Sequence, residues 1–201
     1  MSKIIKDCVI LFVITLVAGF ILGGVYDITK GPIKEQEEAA KQEAYRQVFA
    51  DAQAFEASEG VNAEAAQKVV AASGDTATTI NEVLAAVDSD KKVIGYVFSV
   101  TNPEGYGGDI QLSVGIKNDG TVNGYEVLSI SETAGLGMKA TESEFKDQFK
   151  GKKAEQLEVV KTGAKEEQQI DAISGATITS TAVTKEINAC LSYVNSMKGG
   201  K

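Results

Sequence analysis

Asp171-Ala172-Ile173-Ser174-Gly175-Ala176-Thr177-Ile178-Thr179-Ser180-Thr181 joins a polar, charged segment to the last long apolar-periodic run of the chain. Downstream of it Val183, Ile187, Leu191 and Val194 recur at helical spacing. The hydroxyls of Thr177, Thr179, Ser180 and Thr181 therefore fall at a helix N-terminus. Gly175 permits a tight turn there and lets backbone approach a ligand closely. Free N–H groups and the positive end of the helix dipole favour an anion at such a place, phosphate above all. Serine and threonine are also preferred helix caps, and capping alone accounts for any single one of these residues.

Immediately upstream lies the sheet this helix would cover. Val93–Val100 is β-branched and aromatic, Asp109–Ile116 alternates with period two, Asn118-Asp119-Gly120 is a hairpin signal, and Thr121–Ile130 returns as a strand. Glu142–Phe149 reads as a short helix and Gln156–Lys161 as a further strand. The expected fold class is α+β, with an antiparallel sheet packed against helices. Two glycine-rich loops punctuate it, Gly105-Tyr106-Gly107-Gly108 and Ser131-Glu132-Thr133-Ala134-Gly135-Leu136-Gly137-Met138. Ordinary turn chemistry explains either loop alone. The functional alternative is close backbone approach to a flat ligand, with Tyr106 or Leu136 against its ring. Neither loop is a dinucleotide-type phosphate cradle, because no Gly-x-Gly-x-x-Gly sits between strand and helix.

Farther out, Cys8 to Tyr26 carries no charge. As a helix it is about 28 Å long, close to the ~30 Å hydrocarbon core of a bilayer. It is long for the apolar core of a cleaved signal peptide, and no Ala-x-Ala-like site follows it, so an uncleaved single-span transmembrane anchor is expected. Lys3 and Lys6 place the N-terminus on the cytoplasmic side, although Lys30 and Lys34 weaken the asymmetry. Pro32 is expected to interrupt this helix or to open the next one. Lys34–Phe49 reads as an amphipathic helix with Ala40, Ala44, Tyr45 and Val48 on one face. Residues 52–79 show little periodicity beyond a possible short helix near Ala63–Val70, and are expected to form a variable, loosely packed insert. The expected segments are thus 1–29 for the tail and anchor, 30–80 for the juxtamembrane helix and variable segment, and 81–201 for the folded domain.

Composition removes several functions. The 201 residues carry a net charge of −8 and no basic block, so nucleic acid is not an expected partner. There is no histidine, which withholds the commonest general base and the commonest metal ligand. Cys8 lies in the apolar run and Cys190 on the final helix, so no disulfide or metal site is expected from the two cysteines.

The pattern Asp171-x-x-Ser174-Gly175-Ala176-Thr177 resembles the flavinylation motif of the FMN-binding subunits of Rnf and Na+-pumping NADH:quinone oxidoreductase complexes. Gly-Tyr-Gly-Gly at 105–108 and Glu-Thr-x-Gly-Leu-Gly at 132–137 look like two further segments of that family, and Thr29–Ile33 is similar to its membrane-exit segment. One departure is Ala134, where the family commonly has proline. The short length looks more like the Rnf G subunit than its larger relative.

The resemblance implies covalent FMN, joined through a phosphoester to Thr177 by a Mg-dependent flavin transferase of the ApbE type, which makes the chain a phosphoprotein. It implies Asp171, Ser174, Gly175 and Ala176 as the recognition turn, and Glu132, Thr133, Gly135, Leu136, Gly137 and Tyr106 around the ring. Lys139 would stand beside the ring or be solvated. The implied function is that of a redox subunit in the cell membrane, without independent catalysis, with the FMN-binding domain extracytoplasmic. Its partners would be other subunits of a complex coupling electron transfer between ferredoxin and NAD+ to Na+ or H+ translocation. A stand-alone anchored flavoprotein reductase component and a non-redox anchored binding module are the alternatives.

Overall fold

The computed structural model describes residues 2–58 and 60–199; the expected segment limits at residues 1 and 201 lie outside them. The chain divides into two compact units, Met1–Ala40 and Lys41–Lys201. Helix α1 (Ser2–Val48) makes up the first unit and reaches into the second. Its apolar stretch is long enough to cross a bilayer, and its large side chains, among them Leu11, Phe12, Phe20 and Leu22, are exposed. Apolar surface of this extent calls for lipid rather than water, and among the described residues α1 is the one helix long and apolar enough to serve as a membrane anchor.

The helix does not stop at Pro32, contrary to expectation. Proline removes one helical hydrogen bond and crowds the carbonyl four residues earlier. That carbonyl belongs to Ile28, an exposed residue, so no buried group is orphaned. The Thr29 hydroxyl, donating to the carbonyl of Val25 at 2.9 Å, and an Asp27–Lys30 ion pair at 2.7 Å brace the same turn.

The second unit is built on a five-stranded antiparallel meander. Its strands are β1 (Ala54–Glu56), β2 (Thr79–Val87), β3 (Val93–Gly105), β4 (Gly108–Lys117) and β5 (Val122–Ser129). Gly120 takes a φ of +81° in the β4–β5 turn, where the Asp119 carboxylate accepts the Thr121 N–H at 3.0 Å. The three strands expected from the alternation are β3, β4 and β5; β1 and β2 extend the sheet beyond them. Within residues 52–79 the described part includes a helix packed on the core. Helix α2 (Ala63–Ala72), capped by the Asn62 side chain on the Ala65 N–H at 2.8 Å, buries Ala66 and Val70 completely.

Period two separates two faces. Phe98 and Val100 of β3 and Ile110, Leu112, Val114 and Ile116 of β4 meet helix α4 (Thr177–Gly199) through Val183, Ile187, Leu191 and Val194. Each such aliphatic side chain contributes about 1.5–3 kcal/mol when fully buried. On the other face, Val97 and Ala86 meet Tyr45, Val48 and Phe49 at the end of α1. The Phe49 ring lies over Gly95 and Gly115 on neighbouring strands; a Cβ at Gly115 would stand 2.9 Å from it, and one at Gly95 would overlap it. Tyr45 donates to Glu82 at 2.7 Å, and Asn123 donates to the Val48 carbonyl. A 3-10 turn (Gly137–Thr141), helix α3 (Ser143–Lys146) and a small parallel pair, β6 (Glu158–Val160) with β7 (Gln169–Asp171), close the route to α4.

Candidate functional site

The turn into α4 is fixed by its own hydroxyls. Gly175 adopts a φ of +78°, in the left-handed region that glycine enters without strain. Just beyond it the Ala176 N–H donates to the Ile173 carbonyl at 2.9 Å. The buried Ser180 hydroxyl accepts the Ile173 N–H at 3.0 Å and donates to the Ala176 carbonyl at 2.9 Å, so one side chain ties the turn to the helix. Thr177 begins the helix and is exposed. The first N–H groups of a helix have no partner inside it, so an anion-favouring end stands beside an accessible hydroxyl.

The two glycine loops meet opposite this helix end. A Cβ on Gly107 would overlap the Ser131 carbonyl, one on Gly137 would collide with the Glu132 carboxylate, and one on Gly105 would overlap the Gly108 carbonyl and crowd Glu132 at 3.0 Å. The glycines are needed because the loops close around one another with Glu132 between them. That residue is buried, and it accepts the Gly107 N–H at 3.3 Å.

Between the loops and α4 lies a cavity of about 540 Å³, within the range of small-molecule sites of about 300–1,000 Å³. Tyr106, Glu132, Thr133, Leu136, Gly137, Gly175, Ala176 and Thr177, all singled out from the sequence, line it. Thr179 of the hydroxyl cluster lines it as well, and so does Ile178, which was not singled out. The signal for Ile178 is an apolar residue at a helix start, and it is 54% exposed. Thr179 is fully buried. Outside α1, Tyr106, Leu136 and Ile178 are the large hydrophobic residues left exposed among the described residues, and all three line this cavity.

Three of the sequence-derived residues stand elsewhere. Gly135 shapes the loop before Leu136 with a φ of +76°. Asp171 and Ser174 line a neighbouring cavity of about 480 Å³, together with the exposed Lys139. The Asp171 carboxylate accepts the Ala164 N–H at 2.9 Å, and its backbone N–H donates to the Gln148 side chain at 2.8 Å. Its contacts thus hold the segment that leads into the turn. Among the described residues no cluster suits a metal ion, and both cysteines are free, Cys8 exposed and Cys190 buried.

Residues 105–192 match the FMN-binding domain family, and residues 1–48 match the RnfG N-terminal region. The chain is 37% identical to the G subunit of the Na(+)-translocating ferredoxin:NAD(+) oxidoreductase complex of Acetobacterium woodii, over 92% of this chain and 88% of that one. It is 33% identical to the G subunit of the ion-translocating oxidoreductase complex of Methanosarcina acetivorans, over 98% of each. Among solved structures, NqrC of Shewanella oneidensis aligns with a TM-score of 0.48 and 23% identity, over 59% of this chain and 61% of that one.

Proposed function

The chain belongs to the family of G subunits of ion-translocating oxidoreductase complexes, and from that premise we propose that it carries FMN on Thr177 through a phosphodiester. In this reading it passes electrons within a membrane complex that works between ferredoxin and NAD+ and moves Na+ or H+. The observation that carries the proposal is the exposed Thr177 hydroxyl at the edge of the 540 Å³ cavity, opposite both glycine loops.

The residues present fit the group. Tyr106, Leu136 and Ile178 offer apolar surface to a flat ring, and Glu132 offers a hydrogen-bond acceptor. The unpaired N–H groups at the start of α4 suit the phosphate. The buried Thr179 hydroxyl, which has no partner among the described residues, is a group such a ligand would satisfy. FMN supplies the redox chemistry, and the protein supplies position and exclusion of water from one side of the ring.

Thr177 has no histidine to activate it, so its attachment is the work of another enzyme, a flavin transferase of the ApbE type. The Thr177 oxygen attacks the FMN phosphorus of FAD, the pyrophosphate bond breaks, AMP leaves, and the hydroxyl proton passes to a base of the transferase. Lys3 and Lys6 on the short side of the anchor favour an N-terminus in the cytoplasm and a flavin domain outside it. A covalent link retains the cofactor on that side, where a lost flavin would not be replaced.

Co-expression with such a transferase followed by intact-mass measurement tests the reading. The expected result is a gain of one FMN less one water, abolished by Thr177→Ala. A flavin adduct that persists in Thr177→Ala overturns it.

A further inference from the structure

The hydroxyls at the start of α4 differ in one respect. Ser180 makes two hydrogen bonds, Thr181 donates to the Thr177 carbonyl at 2.8 Å, and Thr184 donates to the Ser180 carbonyl at 2.8 Å. This back-bonding to the carbonyl four residues earlier is what a helical serine or threonine does when nothing else engages it. Thr179 does not do it. Its corresponding carbonyl belongs to Gly175, which precedes the helix with a φ of +78° and lies outside the helical ladder. The Thr179 side chain is fully buried, lines the 540 Å³ cavity, and its Oγ1 has no partner among the described residues. Burying a hydroxyl unpaired is unfavourable, and valine would fill the same volume without that penalty. The other buried side chains with unpaired polar atoms, Ser113 and Glu186, do not line this cavity.

We propose that the Thr179 hydroxyl is a binding contact for the flavin, paired with a polar atom of the ring or its side chain once FMN is seated. This rests on the reading of the cavity as the flavin site. It divides two neighbouring hydroxyls by exposure: Thr177 is open to the transferase and forms the covalent bond, whereas Thr179 is closed to it and holds the seated cofactor. A hydroxyl both donates and accepts, so it can follow a change in the protonation of the flavin.

Two measurements separate this contact from the covalent link. In the flavinylated protein Thr179→Val retains the adduct mass, while the ratio of seated to displaced ring falls about two- to tenfold, the worth of one hydrogen bond. Lower flavin fluorescence anisotropy and weaker visible circular dichroism report that fall, and Thr179→Ser keeps both near the parent values. In the Thr177→Ala background, which lacks the covalent link, titration with free FMN gives a Kd about two- to tenfold higher when Thr179→Val is added. In the same background without FMN the added valine leaves Tm unchanged or higher. Unchanged visible circular dichroism and Kd in Thr179→Val overturn the proposal. So does a lower Tm without FMN, which would mean the hydroxyl serves the protein itself. Loss of the adduct in the parent protein would instead refute covalent attachment, and the free-FMN titration still decides the role of Thr179.

Discussion

Glu186, on the buried side of α4, has no hydrogen-bond partner for either carboxylate oxygen among the described residues. Burial pushes its pKa well above the ordinary carboxyl range; the nearby Asn102 backbone N–H opposes the shift and the charge of Asp75 adds to it. An acid with a raised folded-state pKa binds more protons folded than unfolded across the interval between the two values. Stability therefore falls as pH rises from the unfolded value, about 4.3, toward the folded one. Glu186→Gln removes that slope: the variant gains on the parent as pH rises from 5 to 8, and urea unfolding across this range measures it. Nothing around Glu186 in the sequence announces a buried acid, since its burial comes from β3 crossing beneath α4. The same contrast runs through the cavity. Thr177, Tyr106 and Leu136 were legible because turn glycines and a helix start lie beside them in the chain, whereas Glu132 came only through the family resemblance. The hydrogen bond from the Ala164 N–H to Asp171 was not, because it closes a loop by tertiary contact and leaves no local pattern.

At the scale of elements, α4 and the strands β3 to β5 could be read from periodicity, because each buries one face against a single partner layer. Strand β2 could not. Its Ala85 and Ala86 have low strand preference, and Glu82 interrupts the alternation. It is held instead by pairing along its length with β3, and by Tyr45 and Lys41, which reach Glu82 at 2.7 and 3.0 Å. β1 is three residues long, too short for any pattern. The turn into α4 was legible in outline, but the hydroxyl that fixes it was one of four candidates. Ser180→Ala leaves the buried Ile173 N–H without an acceptor and lowers stability by about 1–3 kcal/mol. A denaturant titration measures this, and the N-terminal end of α4 should lose hydrogen-exchange protection first.

The whole molecule divides between Ala40 and Lys41, well inside α1 rather than at its end. Charge and composition gave no sign of that division, because Lys34–Phe49 reads as one continuous amphipathic helix. What sets it is contact, since Tyr45, Val48 and Phe49 are buried against the sheet while residues 3–40 are exposed. A truncated protein beginning at Lys41 is expected to be soluble, monomeric and cooperative in thermal melting. One beginning at Ala50 loses all three side chains. Replacing a buried phenylalanine by alanine alone costs about 3–5 kcal/mol, against a typical total stability of about 5–15 kcal/mol. The shorter fragment is therefore expected to melt early and elute as aggregate, which circular dichroism and size-exclusion chromatography distinguish.

The aromatic ring seated over Gly95 and Gly115 thus acts as a stopper for the sheet. The end of α1 would place the scissors after it, where the chain turns irregular, but a cut there uncorks the fold. A protease that sheds the domain at that point would release scrap for clearance rather than a diffusible flavin carrier.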